Sequence, residues 1–462
     1  MVDAGRPRLN SLGAGVSPWI TRLALAGTAV FALYLAGVGR WLLLAYIVYT
    51  VLEAGRQVFR RPGTPDPVIL FTIGWVAPFA LTWIPVERFI FKVEPLSRQA
   101  DLTWLGCLLV FLYFSAVAGA VLDSVSGRGR ASPIPTSPPI PWSFTVLTMA
   151  VSNFGFAVAA AANGLRLPVF QADVTVAAAD FFSIRGTSSL FDLGKVGVLL
   201  CAWWIVWLVR RGSGGRKTLV TIVLIAIYIV EQVLIGKRMG LLLSSGALII
   251  VLATLRVLRV RHLAVAVLLA AFFVAANAYI RAKPYFESGF RDENVSALGD
   301  LWQLAILQPV VYVTETFGSL ETVAQGRLDP TRVDWRDYVF RNPDDAALEA
   351  PDDAFLELRG RGKMVPFVGT AIAAGGPLAG VLITILFAAA VWGAYAWSSR
   401  SLGVIIYADL GAKYLVVWTG NYLVNGGTYY NLAYAFALLL LAAIARAGWR
   451  DRAVAGGPAE DR

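Results

Sequence analysis

Histidine occurs once in this chain, at His262, and cysteine twice, at Cys107 and Cys201. A lone histidine between Arg261 and Leu263 reads as part of a basic loop and excludes a zinc site built on imidazoles. Both cysteines lie inside apolar segments, which leaves no basis for a disulfide framework or a thiolate metal site. Charge is scarce as well: 15% of the residues are charged, against roughly 25% in average soluble domains. With 57% apolar residues and a mean hydropathy of +0.65, the chain lacks the polar surface of a water-soluble globule.

What fills the space instead is a series of apolar runs of roughly 18 or more residues, the signature of membrane-spanning helices. They fall at Pro18–Val38, Trp41–Val58, Pro67–Pro85, Leu102–Leu122, Trp142–Ala162, Asp192–Val209, Thr218–Ile235, Gly240–Leu258, Leu263–Ile280, Val365–Trp397, Leu402–Tyr422 and Tyr429–Ala445. The expected fold is an all-α polytopic integral membrane protein with about 12 transmembrane helices. The amino end has the basic and apolar regions of a signal peptide without a small-residue cleavage site, so it reads as an uncleaved first helix.

The formal net charge of +10 invites a nucleic-acid reading. The basic residues cluster instead at alternate ends of the apolar runs, as the positive-inside rule requires. Arg6 and Arg8, Arg56, Arg60 and Arg61, Arg128 and Arg130, Arg210, Arg211, Arg216 and Lys217, Arg256, Arg259 and Arg261, Arg400, and Arg446, Arg450 and Arg452 all fall on one side. That side is read as cytoplasmic, with both termini on it. The organisation follows: transmembrane helices in 1–123, a cytoplasmic Pro/Ser/Gly-rich linker in 124–141, central helices in 142–280, one large extracytoplasmic loop in 281–364, C-terminal helices in 365–446 and a cytoplasmic tail in 447–462.

One short stretch breaks the charge rule. In "LIGKRMGLLL", Lys237 and Arg238 stand at the outer end of a helix between Gly236 and Gly240. Cations there are expected to bind something anionic at the outer face. Arg281 and Lys283 follow the next span, and the loop between Ala162 and Asp192 brings Arg166, Arg185, Asp173 and Asp180 to the same side. Its core, "DVTVAAADFF", is too short to span and suits a re-entrant or interfacial segment. Arginine grips phosphate bidentately and lysine adds a compact charge, so this set suits a lipid diphosphate. An acidic residue nearby would take a proton from an acceptor hydroxyl, and Glu231, Glu315, Glu321, Asp173 and Asp180 are the candidates. Snorkelling to the interface, helix capping and simple ion pairing are the plainer roles for the same side chains. Asp409 and Lys413, one helical turn apart, read as mutually neutralising.

The helix that ends in "IGKRMGLLL", the outer "AYIRAKPYFESGF", the long outer loop and the Gly-rich start "PFVGTAIAAGGPLAG" together resemble the oligosaccharide repeat-unit polymerases, the Wzy-type or O-antigen polymerase family. The resemblance covers the chain from Thr218 onward. It implies a metal-independent glycosyltransferase of the bacterial cytoplasmic membrane, without cofactor and compatible with a GT-C-like architecture. Such an enzyme moves a growing glycan from undecaprenyl diphosphate onto a lipid-linked oligosaccharide, with membrane lipids, a flippase and a chain-length regulator as partners and no nucleic acid. It also implies catalytic roles for Arg238 and Arg281; topology adds Glu231 as a catalytic residue and Lys237, Lys283, Arg166, Arg185, Asp173, Asp180 and Glu315 as substrate-binding residues.

Three alternatives stand beside it. A polyprenyl-phosphate-sugar glycosyltransferase would carry acidic residues in its first outer loop, and "GVGRW" has none. An O-antigen ligase would carry a histidine in the large loop, and none lies between Arg281 and Met364. A transporter or flippase would place charge at mid-membrane and break its helices in paired repeats, and no internal repeat is evident. Reporter tags beside Met239 and between Pro343 and Pro351 are expected to report the extracytoplasmic side; cytosolic signals at both would dismantle the outer cluster of cations.

Overall fold

The computed structural model describes residues 17–60, 64–83, 96–125, 138, 140–171, 177, 180–184, 186–212, 215–236, 238–257, 317, 320, 367–398, 401–415, 433 and 437. Among these the chain is helical and contains no strand. In chain order the helices are α1 (Ser17–Leu35), α2 (Trp41–Arg60), α3 (Pro67–Leu81), α4 (Arg98–Val125), α5 (Trp142–Ala162), α6 (Thr187–Arg210), α7 (Gly215–Ile235), α8 (Arg238–Thr254), α9 (Phe367–Trp397) and α10 (Ser401–Tyr414). Seven of them are long and apolar enough to cross a membrane, and α3 and α8 are shorter apolar helices. The protein is an α-helical, multi-pass membrane protein. The expected spans at 263–280 and 429–445 fall outside the described residues, apart from positions 433 and 437.

Contacts between successive helices show their alternation. Tyr34 near the end of α1 meets Asp101 near the start of α4. Arg22 in α1 faces Glu53 in the last turns of α2. Ile140, just before α5, accepts from Trp204 near the end of α6, and Trp142 donates to Thr221 early in α7. Arg210 at the end of α6 donates to the Leu255 carbonyl just past α8. These antiparallel pairings gather Arg56, Arg60, Arg210, Arg211, Arg216, Lys217 and Arg256 at one end of the bundle. The turn between α7 and α8, and the start of α6, lie at the opposite end.

Helices in lipid gain little from burying apolar surface against each other, so tight packing and polar contacts must hold them. Leu25, Leu52, Val117, Leu219, Val230 and Leu386 stay exposed, as residues facing lipid would be. Inside, aromatic rings fill the space: Phe79 stacks on Trp104 at 4.0 Å and Phe71 on Phe111 at 3.9 Å. Gly74 admits the Tyr414 carbonyl where any side chain would collide.

Two helices are irregular, each for a local reason. Asp66 caps α3 by accepting from the Val68 and Ile69 amides, both at 3.0 Å, with Pro67 at the first helical position. Pro78 then has no N–H to offer the preceding turn, and Thr72–Val76 widens into a π-turn. Trp104 donates to the Trp75 carbonyl there at 3.4 Å.

The second irregularity corrects the sequence reading. Val365–Trp397 was expected to be one span, but Gly376 has φ +72° and ψ −174°, and Pro377 follows. On one continuous helix Phe367 and Phe387 would stand about 30 Å apart; their rings stack at 4.8 Å. Residues 367–374 therefore fold back along 377–397 as a helical hairpin, and Gly380 is packed against Ile372 and Val368. A left-handed Gly next to a helix-breaking Pro is the cause. Phe317 also lies in the core, 5.4 Å from Trp75, with Phe367 at 5.5 Å from the same indole. The large loop expected outside the membrane over 281–364 thus contributes at least Phe317 and Leu320 to helix packing.

Gly74→Ala is expected to lower stability by about 1–3 kcal/mol through overpacking against α10. Gly55, whose added methyl would meet nothing, should tolerate Ala without loss. Denaturation midpoints of the purified protein in detergent check both.

Candidate functional site

At the end opposite the arginine-rich one, α7 and α8 are joined by the turn that the sequence singled out. Gly236 ends α7 with φ +73°, a conformation open to glycine at no steric cost, and α8 begins at Arg238. A cation at the first residue of a helix sits at the positive end of the dipole, so the turn gains stability from an anion. Lys237 lies outside the described residues.

Glu231 is buried one to two turns back on α7, against α5. With its amide nitrogen turned toward acceptors, Asn153 stands 3.3 Å from Glu231 Oε2 and 3.1 Å from the Met149 carbonyl. Among the described residues Glu231 forms no ion pair, so an apolar helix holds a carboxylate beside a basic turn.

Neighbouring positions of α7 carry further polar groups. Tyr228 is wholly buried, and its hydroxyl accepts from Gln232 Nε2 at 2.7 Å. Glycines make room for both: a methyl on Gly194 of α6 would strike the Tyr228 ring and Ser152, and one on Gly240 of α8 would strike Gln232 Oε1. Ser244, one turn further along α8, is buried beside the Tyr228 hydroxyl. Gln232 Oε1 has no partner among the described residues.

Next to this trio lie two ion pairs. Lys195 Nζ is 2.9 Å from Asp192 Oδ1 on α6, and Lys413 Nζ is 2.6 Å from Asp409 Oδ2 on α10. Lys413 is within electrostatic reach of both Asp192 and Lys195, and Asp192 also acts on Tyr228. The Asp409–Lys413 pairing has the geometry expected from its one-turn spacing.

The remaining candidates divide. Arg166 and Asp180 are exposed, after α5 and before α6 respectively, and neither touches Glu231. Asp173, Arg185, Arg281, Lys283, Glu315 and Glu321 lie outside the described residues. The structure therefore places Glu231 against Asn153 of α5, on the helix that leads into α8, and adds Tyr228, Gln232 and Ser244, which the sequence reading passed over. The signal was present: 228, 231 and 232 recur at helical spacing on one otherwise apolar helix.

A separate polar corner holds the ends of α1 and α4. Asp101, fully buried, accepts from Arg40 through both oxygens, at 2.8 Å from Nε and 3.0 Å from the terminal nitrogen, and from the Tyr34 hydroxyl at 2.8 Å. Arg40 also covers the Trp83 ring at 4.5 Å, and Arg98 donates to the Tyr34 and Leu35 carbonyls. Every one of these groups is used in binding the others, so the corner is a clamp. Among the described residues no cluster of His, Cys, Asp and Glu could hold a metal ion. No protein-family model, no curated protein and no solved structure matches the chain.

Arg40→Ala strands the Asp101 carboxylate without its bidentate partner, and the expected cost is about 3–5 kcal/mol. Thermal unfolding of the variant in detergent, compared with Arg56→Ala at the opposite end, checks it; equal midpoints would show that the clamp is dispensable.

Proposed function

We propose that the protein polymerises lipid-linked oligosaccharide repeat units at the outer face of a cytoplasmic membrane. The observation that carries the reading is the buried Glu231 on the helix that leads into the Gly236–Arg238 turn: a base and an anion site held on adjacent elements of the bundle end opposite the arginines.

In this reaction the acceptor hydroxyl oxygen attacks the anomeric carbon of the donor. The new glycosidic bond forms as the bond from that carbon to the polyprenyl diphosphate breaks, and the electron pair leaves with the diphosphate. Glu231 takes the acceptor's proton. Asn153 and the enclosing α5 orient the carboxylate. Arg238, with the amide groups at the start of α8, stabilises the charge growing on the leaving diphosphate, and Lys237, Arg281 and Lys283 supply further cations. Surrounding helices exclude the water that would otherwise capture the glycan. No redox step is involved.

A second reading, a flippase of lipid-linked or anionic substrates, draws on the broken helix at Gly375–Gly376 and the ion pairs within the bundle. The two readings differ in where substrate accumulates. In a strain that depends on this gene, Arg238→Ala is expected to leave single repeat units on their carrier at the outer leaflet, with elongation down about 100-fold or more. Arg238→Lys should recover part of it, and Glu231→Gln should also stop elongation. Long chains of normal length from Arg238→Ala would end the polymerase reading; units trapped at the inner leaflet would replace it with the flippase.

A further inference from the structure

The arginine-rich end of the bundle holds its cations in two different ways. On the α1–α2 side they are closed on a carboxylate: Glu53 takes Arg56 at 3.2 Å and faces Arg22 at 4.0 Å. On the α6–α7 side Arg211, Arg216 and Lys217 are exposed, and among the described residues none of them has an acidic partner. Arg256, exposed just past α8, is brought to the same side because Arg210 donates to the neighbouring Leu255 carbonyl. Retention of cations at one end during membrane insertion accounts for their number and sign. It does not account for the difference between the two sides.

Aromatic rings hold the unpaired set instead. Arg211 lies over the Trp207 ring at 4.3 Å and Lys217 over the Trp142 ring at 5.7 Å. The rings themselves are joined. Trp207 meets Trp204 edge to face at 5.1 Å, Trp204 donates to the Ile140 carbonyl at 3.2 Å, and Trp142 donates to Thr221 of α7 at 3.2 Å. Gly212, at φ +62°, ends α6 and lets the chain reverse. A collar of contacts thus runs from Arg211 through the start of α5 to Lys217. A cation resting on a ring face is positioned without being neutralised, and its N–H groups stay open to an anion at the rim.

Beyond the collar, α7 offers a bed for hydrocarbon. Leu219, Val223, Ile227 and Val230 recur at helical spacing and are all exposed, and Arg216 stands one turn before Leu219 on the same face. Of the seven helices long enough to span a membrane, α7 is the least buried. An acidic headgroup and a long acyl chain carried on one molecule match both features at once.

We infer that the α6–α7 corner, with Arg211, Arg216, Lys217 and Arg256 around the tryptophan collar, is a docking site for an anionic phospholipid, its phosphate at the cations and an acyl chain along the exposed face of α7. Each cation near a membrane surface raises affinity for acidic lipid by about fivefold. A zwitterionic lipid brings its own cation and gains little. The site lies at the end of the bundle opposite the Arg238 turn, and it stands whichever substrate that turn takes.

Native mass spectrometry of the full-length protein in detergent tests it, with phosphatidylglycerol and phosphatidylcholine of identical acyl chains titrated separately. The parent is expected to bind phosphatidylglycerol about tenfold more tightly or better. Arg211→Gln and Lys217→Gln should each weaken that binding by about fivefold, and together by about 25-fold, with phosphatidylcholine unchanged. Arg211→Lys keeps the charge and should restore most of the affinity. Arg22→Gln removes one exposed cation from the same end, on the side closed by Glu53, and should change neither lipid. Arg22, Arg211 and Lys217 are all exposed, so lipid-free melting temperatures should match the parent's and separate lost binding from lost folding. An equal loss in Arg22→Gln, equal affinity of the parent for the two lipids, or unchanged binding in the double variant each overturns the site. Displacement of the lipid by inorganic phosphate at matched concentration also overturns it, because the corner then reads a free phosphate and no lipid.

Discussion

A charge carried into a helical bundle surrounded by hydrocarbon must be given a partner inside the protein, because neither lipid nor bulk water will supply one. That constraint organises this molecule. Asp101 is wrapped by Arg40 and Tyr34. Lys195 and Lys413 each have a carboxylate one turn away on their own helix. Glu53 is bonded to Gln57 and Arg56 at the arginine-rich end. Glu231 is the departure, buried with an amide for company and no cation among the described residues.

The Asp101 clamp and the lysine pairs have different mechanical consequences. The Asp101 clamp draws on α1, α4 and the turn between α1 and α2, so it restrains three parts of the chain together and fixes the angle at which they meet. The lysine pairs restrain nothing beyond a single helix turn. An ion pair that ties elements together resists change, while one closed on its own turn can open locally. The two kinds of pairing are thus separated in space: the clamp fixes α1 against α4, and the lysine pairs lie apart from it on α6 and α10.

Much of this was legible in the chain and some was not, for identifiable reasons. Apolar runs near 20 residues fix the helices, since nothing else satisfies backbone groups in lipid, and the ends of α5 at Trp142 and Ala162 match the sequence reading residue for residue. The Asp409–Lys413 pair follows from one-turn spacing alone. Gly236 as a helix stop follows from glycine's freedom at positive φ. Tyr228, Gln232 and Ser244 were missed because each is an unremarkable residue in an apolar helix; only the packing of α6, α7 and α8 gives them a shared location. The same holds for Arg40, a lone cation in the short "GVGRW" loop to which folding delivers Asp101 from about sixty residues downstream.

The α9 hairpin shows the limit of hydropathy from the other side. Residues 365–397 are apolar throughout, and hydropathy counts residues without regard to direction. One Gly-Gly-Pro is enough to turn a run long enough to span into a shorter helix with a folded-back arm, and the ring stack of Phe367 on Phe387 is what reports the reversal. The arm ends at Trp75, directly beside the π-turn of α3, and Phe317 reaches the same indole. Three parts of the chain that sequence places in separate spans and loops therefore meet at one residue of the π-turn, about 12 Å of helix away from the Gly375–Gly376 break. Regular helices pack through side chains alone; an interrupted pair presents backbone as well, and Trp104 has already taken the Trp75 carbonyl at this point. The π-turn is for that reason one joint of the bundle, where Gly74 admits the Tyr414 carbonyl and Trp75 meets Phe317 and Phe367.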